Sequence, residues 1–124
     1  MVDVKTQKRV FSCLKHNCYG EKNGWSAHTA SVVCLSGGNK RELRRICAKI
    51  NANPEIKGII STSKSIYVCR TKSECRRAIE TTYKMAFAYL RKARAMEKKV
   101  NLNGQYKFTD ENGIKCEIIF KEGE

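Results

Sequence analysis

The chain is short of acid. Only 12 of its 124 residues are Asp or Glu, against 25 Lys and Arg, a formal net charge of +13. With the acids few and gathered toward the C-terminus, no paired carboxylates, carboxylate metal site or Ser-His-Asp set can be assembled. Proline and tryptophan occur once each, as Pro54 and Trp25, and histidine twice, as His16 and His28. No apolar run approaches ~18 residues, which excludes a membrane-spanning helix. No segment opposes a bulky apolar face to Lys and Arg, so an interfacial helix is not expected. The opening residues MVDVKT lead into no apolar stretch of the kind a signal peptide needs. Low-complexity segments, linkers and internal repeats are missing too. The expectation is one soluble basic domain over 1–124, cytoplasmic and reducing, without membrane contact.

Seven cysteines are present, an odd number with irregular spacing and no export signal. A disulfide framework is therefore not expected. Cys13, Cys34, Cys47, Cys69, Cys75 and Cys116 each fall within apolar patterns, where reduced cysteine behaves as a small hydrophobe.

The longest uninterrupted element is predicted over Thr71–Val100, which lacks Gly and Pro and opens with Thr71 and Glu74 as a capping box. At 1.5 Å per residue it spans roughly 45 Å, more than a small domain's diameter. Cys75, Ile79, Thr82, Ala86, Tyr89, Ala93, Met96 and Val100 follow alternating steps of four and three. On another face Arg77, Lys84, Arg91 and Lys98 place a cation at every seventh residue. A second helix is predicted from Asn39, with Glu42 completing a cap and Leu43, Ile46, Cys47 and Ile50 as its inner stripe, ending before Pro54.

Alternation predicts strands over Gln7–His16 and His28–Leu35, joined by a polar loop at 17–26. Short strands are expected at Lys57–Thr62 and Ser65–Arg70. A C-terminal hairpin is expected from Gln105–Asp110 and Ile114–Lys121, turning at Asn112-Gly113 after a first turn at 101–104. The element order is ββαββαββ, an α+β fold whose antiparallel sheet carries two helices on one face, one of them ~28 residues long.

A sustained basic surface attracts polyanions. The expected function is nucleic-acid binding of low sequence specificity, RNA or DNA. Phosphates are expected at Lys40, Arg41, Arg44, Arg45 and Lys49 on the first helix and at Arg77, Lys84, Arg91 and Lys98 on the second. Trp25, and the tyrosines at 19, 67, 83 and 89, could stack bases. Gly37-Gly38-Asn39-Lys40 lacks the flanking Gly and the Lys-Ser/Thr ending of a phosphate loop, although free amides opening a basic helix could dock one phosphate. An alternative is a protein-binding module or inhibitor docking an acidic partner, as a phage or mobile-element (viral) accessory protein could.

A third reading is a metal-independent ribonuclease. If the first two strands pair, His16 and His28 face each other beside Lys15 and could supply acid and base. Cys13, His16, Cys18 and His28 share that neighbourhood, but their spacing departs from zinc-finger patterns, and neither metal nor cofactor is expected. The wide apolar stripe of the long helix suggests a homodimer through 71–100. No family signature is recognised.

Overall fold

Asp3 caps the first element by accepting a hydrogen bond from the Thr6 amide at 2.7 Å. The helix it starts, α1 (Val4–Asn17), occupies the segment expected as the first strand. In this computed structural model, which describes residues 3–35, 37–100, 105–110 and 113–119, the ββαββαββ order with a single sheet is overturned. The reason lies in which side chains can be buried together. Alternation groups Ser12 with Val10 and Leu14, whereas a helix groups Gln7, Val10 and Leu14, and these three are buried while Ser12 is exposed.

The second expected strand is likewise a helix, α2 (Ala27–Cys34), capped by Ser26 Oγ accepting from the Thr29 amide at 3.1 Å. Its inner face is Ala30, Ser31 and Cys34, and the adjacent Val32 and Val33 lie 55% and 54% exposed. The β-propensity of two valines is here overridden by packing. Helix α3 (Lys40–Ala52) forms where its cap predicts, with Leu43, Ile46, Cys47 and Ile50 buried.

The chain divides into two compact units, Met1–Thr82 and Tyr83–Glu124. In the first, α1, α2 and α3 pack on one another, and α1 and α3 pack on a hairpin of β1 (Ile60–Ser61) and β2 (Tyr67–Val68), antiparallel with Ile60 opposite Val68. The other edge of β2 and its approach is taken by residues 18–25. Tyr19 bridges Val68 in parallel sense and Trp25 bridges Ile66 antiparallel. The Cys18 carbonyl accepts from Val68 N at 2.8 Å, Gly20 N donates to Val68 O at 2.8 Å, and Trp25 and Ile66 exchange two backbone bonds. What reads as a loop between strands is thus an edge partner of β2.

Two local devices fix this layout. The Asn51 amide, on the last turn of α3, donates to Ile60 O at 3.0 Å and accepts from Ile60 N at 2.8 Å, satisfying the free edge of β1. Gly58, at φ 153°, passes so close to Phe11 that a Cβ there would lie 2.7 Å from the ring.

Helix α4 (Lys72–Val100) runs 29 residues and buries none of them fully, although Cys75 and Ala78 pack partly buried on the core. Its cap extends the expected box. Thr71 Oγ1 accepts from Glu74 N at 3.1 Å, and the Glu74 carboxylate reaches past the cap to Arg70 N at 2.8 Å and Glu21 N at 3.3 Å. These exposed backbone donors hold the Glu74 carboxyl below the usual range, Arg70 first among them.

In the second unit, the last turns of α4 accompany an antiparallel hairpin of β3 (Gln105–Thr109) and β4 (Lys115–Ile119), with Tyr106 opposite Ile118. The expected turns at 101–104 and at Asn112, and the end of the last strand at Lys121, lie outside the described residues. Among those residues the strands form two separate two-stranded sheets, so no common sheet underlies the helices.

Candidate nucleic-acid interface

With its inner stripe committed to the core, α3 turns Lys40, Arg41, Arg44 and Arg45 outward, all exposed. Lys49 is half-buried. Arg45 is partly neutralised by Glu42, whose carboxylate meets the guanidinium at 2.7 Å instead of returning to the cap. Helices α2 and α3 are joined by a short connection containing Gly37 and Gly38, both at positive φ, and both pack against α1.

The helical state of α1 exposes a basic face that alternation hides. Lys5, Lys8, Arg9, Lys15 and His16 are all exposed opposite Gln7, Val10 and Leu14, and the helix contains no acid. The signal available beforehand is the spacing Asp3-x-x-Thr6, a cap, followed by cations at helical intervals.

At the end of α1, Tyr19 is 40% exposed, and both Lys15 Nζ and Arg70 Cζ lie 5.9 Å from its ring centroid. The bonds of Cys18 and Gly20 to β2 pin the backbone on either side of it. An exposed aromatic between two cations offers a stacking face beside positive charge. Trp25, by contrast, is half-buried against the core, its backbone tied to Ile66.

On α4, Arg77 is paired with Glu21 at 3.3 Å, while Lys84, Arg91 and Lys98 stand exposed in their row. The acids of Met1–Thr82 are largely engaged locally. Asp3 and Glu74 cap helices, and Glu21, Glu42 and Glu80 face Arg77, Arg45 and Arg76. Sixteen Lys and Arg stand in that segment against six Asp and Glu, an excess of ten positive charges, and most of these cations are exposed.

His16 lies in the last turn of α1 and His28 in the first turn of α2, both exposed. The strand pairing that would have opposed them does not form. All seven cysteines are free thiols. Cys34 donates to Cys13 Sγ at 2.8 Å, and burial pushes the Cys47 and Cys69 thiols up to about 12, so these two stay protonated at neutral pH and are poor nucleophiles. Among the described residues no group of three or more His, Cys, Asp or Glu is arranged to hold a metal ion, and no helix is long and apolar enough to cross a membrane. Comparison with protein-family models, with curated proteins and with solved structures finds no match to the chain.

Proposed function

We propose that the protein binds nucleic acid, with duplex DNA as the form its helices fit best. The observation that carries the reading is the outward face of α3, where Lys40, Arg41, Arg44 and Arg45 are exposed on the second of two helices joined by a short Gly-containing connection. In helix-turn-helix modules that second helix enters the major groove. The cations of α1 supply further phosphate contacts in the first unit, and Lys84, Arg91 and Lys98 offer the second unit a phosphate-binding row of its own. Phosphate contacts position the protein without specifying sequence, so selectivity rests on what the N-terminal half of α3 can reach.

Binding of a short duplex is expected to weaken about 10³-fold between 50 and 200 mM salt if six phosphates are contacted. Micromolar affinity unchanged over that range would remove the proposal. An acidic protein partner would also respond to salt, but excess short duplex would leave its capture undiminished. Single-stranded RNA binding better than duplex would move the site from α3 to the Tyr19 platform.

A further inference from the structure

Over residues 83–100, 105–110 and 113–118 of the second unit no side chain is buried. A two-stranded hairpin beside one helix is marginal in water, and a unit this small needs something to cover its apolar surface. Much of that surface, though not Phe87, lies along one seam of α4. Written as heptads, Ile79, Ala86, Ala93 and Val100 occupy a, and Thr82, Tyr89 and Met96 occupy d; the preceding a and d, Lys72 and Cys75, lie outside the seam, Cys75 packing on the core of the first unit. Tyr89, Met96 and Val100 are each about two-thirds exposed. The four-cation row falls on f, the position farthest from a partner helix. Between the last turns of α4 and the hairpin lies an open apolar cleft of about 610 Å³, walled by Ala93, Met96 and Val100 on one side and Tyr106, Phe108 and Ile118 on the other.

From this seam we infer that α4 pairs with α4 of a second copy, in parallel and in register, with the partner's seam side chains entering the cleft. The flanking positions argue for the second copy and for the direction. In a parallel pair each g residue meets e of the next heptad on the partner. Here Met85 then meets the partner's Leu90, and Lys92 meets the partner's Glu97, once on each side of the axis. Every such pair within the described residues is apolar on apolar or opposite in charge, except Ala78 with Tyr83, which is neutral. The antiparallel arrangement in the matching register instead sets Lys92 beside Met85 and brings Glu97 to Arg76, which is already paired with Glu80 at 3.8 Å. Lys92 is held at the seam by its position over Tyr89, with Nζ 5.1 Å from the ring centroid, and Glu97 accepts from the Tyr106 hydroxyl.

Sedimentation equilibrium of the full chain is expected to give a dimer. Met96→Glu should leave a monomer with helicity retained by circular dichroism. Lys92→Glu turns two opposite-charge pairs into two like-charge pairs and should weaken the dimer about tenfold, and Lys92→Glu with Glu97→Lys should restore it to within about threefold. A monomeric wild type at tens of micromolar overturns the proposal and leaves the cleft to a small apolar ligand or another protein. A dimer unmoved by Met96→Glu, or one weakened by Lys92→Glu and not rescued by the double variant, overturns it as well.

Discussion

Asn51 takes the place of a missing strand at the outer edge of β1, donating to and accepting from the same residue, Ile60. Asn51→Ala strips partners from one amide and one carbonyl at a part-buried edge and should cost about 2 kcal/mol in urea unfolding. Asn51→Asp keeps the acceptor and loses the donor, so it should fall between. Gly58→Ala meets both a positive φ and the Phe11 ring, whereas Gly37→Ala meets open space at φ 99°. The first should therefore cost about 2 kcal/mol or more and the second about 1 kcal/mol. Glu74 makes stability depend on pH. Its carboxyl is held low in the folded state by the Arg70 and Glu21 amides. A group whose folded pKa lies below its unfolded one stabilises fully above the unfolded value and loses that contribution as pH falls through the folded one. Acid unfolding of the wild type should therefore steepen below the ordinary glutamate range, and Glu74→Gln should be less stable at pH 7 and show a shallower loss there.

At the scale of elements, α3 and α4 are legible from caps and periodicity, since a polar cap followed by an apolar stripe has few other solutions. The C-terminal hairpin is legible from its alternation and its turn glycine. Helices α1 and α2 are not, for a definable reason. Ten to twelve residues with apolar groups at 10, 11, 13 and 14 satisfy both periods, and the valines of α2 favour a strand until Ala30, Ser31 and Cys34 find a core to enter. Of the proposed interface, the α3 cations and the row on α4 could be named beforehand. The α1 face could not, because its cations converge only when the segment is helical. This yields a contrast between helices. Arg44→Ala on α3 should change the preference among duplex sequences by about 1–3 kcal/mol at the affected position, while Lys8→Ala on α1 should weaken all sequences alike and flatten the salt slope by about one contact. Competition titrations with a small panel of duplexes separate the two, and equal behaviour of both variants would take α3 out of the groove.

For the whole molecule, charge and symmetry make one combined demand. A chain of net charge +13 that pairs with itself must keep its cations away from the shared seam. The f-position row on α4 does so, and of the two cations at flanking g positions in the second unit, Lys92 and Lys99, Lys92 faces the partner's acid. A parallel pair has a twofold axis along the helices, and a twofold protein matches a twofold site, which on duplex DNA is an inverted repeat. Two half-sites engaged together convert the second contact into an intramolecular one, with a gain of about 10² to 10⁴ over a single half-site when the spacing permits both. In a gel-shift series of inverted repeats with stepped spacing, affinity should therefore peak at one spacing and recur about one helical turn later. The peak should vanish in Met96→Glu, whose affinity for a lone half-site should equal that of the wild type. Equal loss on both targets would instead place Met96 within the nucleic-acid surface and separate dimerisation from binding, whereas a flat spacing series with an intact dimer would leave each copy acting alone.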